Sequence, residues 1–240
     1  MSKTSWLSRT ELLVGKEELK KLKSSNVLVV GLGGVGGYAA EQLCRAGIGK
    51  MTIVDGDKVI SSNINRQLIA LHSTIDKSKT ELLKERLLDI NPKIKLTIID
   101  RFVFDHEMES LLEEKYDYVV DAIDTLAPKF QLIYNCMQKN IPVISSMGAG
   151  GKFDPLSILV TDISKSFNCN LARVLRKRLY KVDIRKGFKV VFSTEKAKKE
   201  SFLHEESQNK KSTVGTISYM PPVFGCVCAS VVIRDLLKSD

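Results

Sequence analysis

A short run, Asn26-Val-Leu-Val-Val30, passes directly into Gly31-Leu-Gly33-Gly34-Val-Gly36 and then into a helical stretch over residues 38–46 that Gly47 stops. Such a run suits a strand buried on both faces, and a strand of that type belongs in a parallel sheet covered by helices. The glycines let the backbone approach a phosphate closely, at the start of a helix whose first N–H groups carry partial positive charge. Strand, glycine turn and helix together commit the chain to an α/β architecture with a nucleotide site at one sheet edge.

The rest of the chain continues that alternation. Strands are expected at 51–54, 94–99, 118–122 and 142–145, and helices at 79–89, 106–114 and 128–138. This predicts a Rossmann-like, mostly parallel sheet with right-handed crossovers and helices on both faces. After Gly148-Ala-Gly-Gly151 the rhythm changes: strands at 157–163 and 188–192 flank a basic helix at 171–180, and a helix at 222–237 closes the chain. Three parts follow: helices in 1–25 that cover another part of the chain or reach a neighbour, a nucleotide-binding core over 26–150, and a mixed C-terminal extension over 151–240. Thr10 is a suitable N-cap for the first helix, and Gly15 breaks it from the second.

Composition narrows the class. With 240 residues, 43% of them hydrophobic, the chain can bury one substantial core. It holds no apolar run long enough to span a membrane and no secretory leader, so a cytoplasmic protein is expected, with no membrane partner. The five cysteines form no C-x-x-C pair, which argues against a zinc clip or a disulfide framework; 44, 136, 226 and 228 read as core thiols. From Lys165 to Lys211 there are 14 Lys and Arg against 5 Asp and Glu, which accounts for the entire net charge of +9. A localised excess of that kind points to a polyanionic partner, although residues 196–211 read equally well as a solvated loop.

Asp55 ends the second strand 19 residues beyond Gly36, where a carboxylate can accept from a ribose hydroxyl, and Asp57 follows it. Those features serve NAD as readily as ATP. The stretch Ser61-Ser-Asn63-Ile-Asn-Arg66-Gln67 and Lys79 at the head of a helix tip the balance, because a triphosphate needs cationic clamps that a dinucleotide does not. Asp124 adds a carboxylate at the same edge, suited to Mg²⁺.

These motifs, with Asp121-Ala-Ile-Asp-Thr125, resemble the adenylation domain of the activating enzymes for ubiquitin-like carriers over residues 9–146. The resemblance implies phosphate-loop glycines (Gly31, Gly33, Gly34, Gly36), a ribose-binding Asp55, and Asn63, Arg66, Gln67 and Lys79 near the phosphates. It implies Mg²⁺ on Asp124 and an arginine, Arg9, supplied across a homodimer. Members that activate sulfur carriers also bear C-x-x-C zinc pairs and a catalytic cysteine; here the pairs are absent and only Cys169 lies in roughly the right region.

Further phrases extend the likeness over nearly the whole chain and resemble the tRNA threonylcarbamoyladenosine dehydratases: Ala70-Leu-His-Ser-Thr74, Ile144-Ser-Ser-Met-Gly-Ala-Gly-Gly-Lys152, Thr161-Asp-Ile-Ser-Lys165, Val190-Val-Phe-Ser-Thr-Glu195 and Gly215-Thr-Ile-Ser-Tyr219. Cys169-Asn170 departs from the Asp-Pro expected there. This family implies ATP-dependent cyclisation of a modified adenosine beside the tRNA anticodon, the alternative being activation of a sulfur-carrier protein. Ring closure by the substrate's own carbamoyl group would need no thiol. Lys165, Arg173, Arg176, Lys177, Arg178 and Lys181 are then the expected tRNA contacts, several on one helix face. His72 falls near the site by resemblance, Lys152 reads as a substrate contact or a solvated turn, and a sulfur-transfer protein is a possible further partner.

Overall fold

A computed structural model describes residues 5–203 and 213–238. Residues 204–212, Lys211 of the basic segment among them, lie outside the described residues. Helices α1 (Ser8–Val14) and α2 (Lys16–Ser24) precede β1 (Asn26–Val30), α3 (Gly36–Ala46) and β2 (Lys50–Val54). Next come α4 (Lys79–Ile90), β3 (Lys95–Ile99), α5 (His106–Leu111), β4 (Tyr118–Asp121), α6 (Leu126–Gln138) and β5 (Val143–Ser146). The C-terminal part adds β6 (Ile158–Asp162), α7 (Asn170–Tyr180), β7 (Lys189–Ser193), a hairpin of β8 (Phe202–Leu203) and β9 (Thr213–Val214), and α8 (Met220–Leu236).

The main sheet runs β3-β2-β1-β4-β5-β7-β6, parallel except for β6, which pairs antiparallel with β7. The mixed extension is therefore continuous with the core sheet. Side chains of β1 alternate between two cores: Val27 and Val29 face the layer of α3, α4 and α8, while Leu28 and Val30 face that of α5, α6 and α7. This explains why the strand is buried at every position. The chain leaves β1 toward β2 on one side while β4 pairs on the other, so the strand order reverses between β1 and β4. Ligands of open α/β sheets bind beyond the carboxyl ends of the strands at such a point.

Gly47 stops α3 in the left-handed conformation, φ 97°, and Gly15 separates α1 from α2. Thr10 is not an N-cap: α1 starts earlier, with Leu7 at that position and Thr10 inside the helix. The cause is packing, since buried Leu7 sits against Gly47 and sets where the helix begins. The β8–β9 hairpin has no counterpart in the sequence pattern, its strands being too short to show a period.

Candidate functional site

The glycine turn is built by close approach. Gly31 has φ 87°, and its N–H donates to Val54 O at 2.8 Å. A Cβ on Gly36 would lie 1.7 Å from Gly31 O, and one on Gly34 2.9 Å from Pro221 Cβ. Around Gly33, by contrast, the nearest atom to an added Cβ is Gln67 Nε2 at 3.7 Å, leaving room above the turn. Asp55 locks this geometry by accepting from Leu32 N–H at 2.6 Å and from Asp57 N–H at 2.8 Å. Burial raises its pKa, opposed by the charge of Lys79 and by those N–H groups. Both carboxylate oxygens retain lone pairs for a hydroxyl donor.

Cations converge from separate elements. Lys79, the first residue of α4, is 4% exposed and places Nζ 2.7 Å from Asp57 Oδ2 and 4.0 Å from Asp55 Oδ1. Ser78 caps that helix by accepting from Glu81 N–H. Arg66 donates to Ser62 O and Asn65 Oδ1, which fixes its guanidinium. Burial lowers the pKa of Arg66, and the nearby charge of Asp124 opposes that. Asn63 is buried and accepts from Ile60 N–H. Gln67 Oε1 is buried without a hydrogen-bond partner among the described residues, next to the open space at Gly33. An orphaned polar atom of this kind fits a ligand that supplies the missing donor.

Asp124 is exposed in the loop after β4, with its charge acting on Arg66. Among the described residues no group of three or more His, Cys, Asp or Glu is arranged to hold a metal. A cation here would draw its remaining ligands from phosphate oxygens and water, the usual habit of Mg²⁺. Arg9 is not brought into this site. It lies two residues beyond Leu7, which packs at Gly47, beyond the far end of α3 from the glycine turn. The helix between them is roughly 16 Å long.

The C-terminal part closes over the same edge. Asn65 Nδ2 donates to Thr216 O, Gly151 N–H donates to Gly215 O, and Tyr219 OH donates to Phe153 O. Glu195 accepts from the N–H groups of Phe153 and Asp154, holding the loop beyond β5. Lys152, 5% exposed, donates to the carbonyls of Asn168 and Glu195, so it braces this loop rather than solvating a turn. Because Asn168 donates to Thr194 O just past β7, α7 starts at this edge and descends from it. Arg173, Lys177, Arg178 and Lys181 are exposed along it, and Lys165 is exposed before it. Arg176 differs: its guanidinium is tied to Ser166 O at 2.7 Å and to Ser166 Oγ.

Cys169 caps α7, its sulfur accepting from Ala172 N–H. Cys44, Cys136 and Cys228 are buried, with burial pushing the first thiol up to about 11 and the other two to about 12. Cys226 is exposed, not a core thiol, because residues two apart on a helix point to nearly opposite sides and only Cys228 faces inward. His72 and His106 are exposed. The sequence motifs contain Asn65, Thr216 and Glu195 but give them no role: the Asn65 side chain reaches the Thr216 carbonyl, and Glu195 accepts from backbone some forty residues away. Asp121 and Ser145 likewise lie in those motifs without an assigned role, and Lys129 went unnoticed although a lysine inside an apolar helical run is a visible signal.

A family model described as the ThiF family matches residues 7–240. A tRNA threonylcarbamoyladenosine dehydratase of Bacillus subtilis (strain 168) is 40% identical over 239 residues, 96% of this chain and 94% of that protein. The dehydratase of the same name from Escherichia coli (strain K12) is 40% identical over 202 residues, 80% of this chain and 75% of its own. The crystal structure of E. coli tRNA N6-threonylcarbamoyladenosine dehydratase, TcdA, in complex with ATP superposes with a TM-score of 0.87 at 35% identity, covering 98% of this chain and 97% of that one. With a glycine turn, an acidic strand end and two converging cations at its switch point, and with this match over nearly its full length, the chain belongs to the ThiF family.

Proposed function

We propose that the protein uses ATP to dehydrate N6-threonylcarbamoyladenosine in tRNA, next to the anticodon. The observation that carries this reading is the convergence of Lys79, Arg66 and Asp124 on the open glycine turn, in a chain matching a dehydratase of that name over 94% of its length. A threonyl carboxylate oxygen attacks the α-phosphorus and pyrophosphate leaves. The carbamoyl group then attacks the acyl carbon, a proton is lost, and AMP departs with the carboxylate oxygen, so the nucleoside loses one water. Lys79 and Arg66 neutralise phosphate charge, and Gln67 donates or accepts at the space above Gly33. Asp55 holds a ribose hydroxyl, while Asp57 keeps Lys79 in place and Asn63 shapes the Arg66 turn. Asp124 holds Mg²⁺, which screens phosphate charge when bound. Ring closure is intramolecular and requires no thiol.

The working form is a homodimer in the cytoplasm. Leu12 and Leu13 of α1 are 87% and 85% exposed, an apolar face suited to a second copy, and Arg9 beside them is too far from its own glycine turn to serve it. Arg173, Lys177, Arg178, Lys181 and Lys165 line the descent from the site and contact tRNA phosphates, with Arg176 anchoring the start of that surface through Ser166. Incubation with ATP, Mg²⁺ and tRNA carrying the modification should lower the nucleoside mass by one water. An unchanged mass despite bound ATP would contradict the proposal.

A further inference from the structure

At the carboxyl end of β4 lies a set of charges that the nucleotide reading does not use. Asp121 and Lys129 are both fully buried, with Lys129 Nζ 2.7 Å from Asp121 Oδ2. Ser145, also fully buried, donates to the same oxygen at 2.6 Å. Two more contacts converge on one residue of the backbone. Ile123 N–H donates to Asp121 Oδ1 at 3.1 Å, and Lys129 Nζ donates to Ile123 O at 3.0 Å. Both backbone polar groups of Ile123 are therefore gripped by the ion pair.

Burying two charges costs desolvation that their attraction often fails to recover, so stability alone is a weak reason to keep them. What they hold is a better reason. Ile123 directly precedes Asp124, whose charge acts on Arg66. The same backbone is the floor of the glycine turn: a Cβ on Gly31 would lie 2.8 Å from Ala122 O and 3.2 Å from Ile123 N. One clamp thus registers the phosphate turn against the acidic loop. We infer that Asp121, Lys129 and Ser145 are positioning residues that fix Asp124 relative to the glycine turn, and so set the affinity of the site for a nucleoside triphosphate. The inference rests on the nucleotide reading proposed above.

The double variant Asp121→Asn with Lys129→Met removes both charges at similar volume and keeps an acceptor for Ile123 N–H. Amide exchange at Ile123 and Asp124 without nucleotide reads the clamp itself, and ATP affinity with and without Mg²⁺ reads its consequence. Exchange at those two amides should quicken about ten-fold while that of β1 and β2 stays unchanged. ATP should bind about ten-fold more weakly with Mg²⁺ present, with a smaller change without it. Ser145→Ala, which leaves the ion pair intact and is the milder change, should move both readouts in the same direction by about two-fold. It keeps the test open if the double variant does not fold. Wild-type exchange and ATP affinity in a folded variant would overturn the inference, as would exchange quickened evenly over the whole sheet, which marks a purely structural pair. If the wild-type protein itself bound no ATP, the nucleotide reading would fail while the exchange measurement still judged the clamp.

Discussion

At the residue scale the site depends on positions where one atom more or less decides the outcome. Gly36→Ala would put a carbon 1.7 Å from Gly31 O, so the turn must open. That variant should lose ATP binding and melt several degrees lower, since overpacking of this kind costs about 1–3 kcal/mol. Lys79→Met should weaken ATP binding by roughly ten-fold or more, because a charge-assisted hydrogen bond is worth about 1.5–3 kcal/mol. Calorimetry with ATP measures both, and wild-type affinity in either would count against the phosphate assignment. These residues were legible because their spacing is local: Gly31 to Gly36, Asp55 and Lys79 all sit at the ends of recognisable elements. Asp121 and Lys129 were not read, because their pairing depends on β4 and α6 meeting in three dimensions. Nor does the sequence reveal that Arg176 is spent on Ser166 while Arg173 and Lys177 are exposed on the same helix.

Individual elements followed the hydrophobic pattern closely. The sequence reading placed the parallel strands and most helices of the main sheet within about two residues of their observed bounds, since Val- and Ile-rich runs and glycine stops set them directly. It missed the β8–β9 hairpin and misplaced the start of α1, where tertiary packing rather than periodicity decides. Helix α7 carries the expected tRNA surface. Reversing charge at Arg173 and Lys177 to Glu should weaken tRNA binding and flatten its salt dependence, by roughly one unit of slope per lost phosphate contact, while leaving ATP binding unchanged. Unaltered tRNA affinity would remove α7 from the interface. At the other end of the sheet Asp235 ties α8 to β4 and β7 by accepting from Tyr118, Lys189 and Lys238. Burial works to raise its pKa, but bonds from Lys189, Lys238 and Tyr118 outweigh that and lower it. A carboxyl depressed on folding adds stability above its unfolded pKa of about 4, and that contribution is lost as pH falls through the folded value. Asp235→Asn should therefore be less stable than wild type at neutral pH, with the gap closing in acid; a gap independent of pH would refute the tie.

For the whole molecule, the distance between Arg9 and the glycine turn of the same chain makes two copies necessary if that arginine serves catalysis. Arg9→Ala and Lys79→Met should each be inactive as pure dimers. Mixed, they should recover about a quarter of wild-type activity, because random pairing leaves one intact site in half of the dimers. No recovery on exchange of subunits would show that Arg9 acts within its own chain or not at all. Among the described residues no helix is long and apolar enough to cross a membrane. In the proposed reaction the threonyl carboxylate is activated by transfer of AMP. Supplying tRNA whose threonyl carboxylate carries ¹⁸O and analysing the released nucleotide tests it directly. Adenylation predicts ¹⁸O in the phosphate of AMP. The second carboxylate oxygen stays in the ring carbonyl, so the nucleoside keeps one label; AMP free of label, or label found in inorganic phosphate alongside ADP, would contradict it.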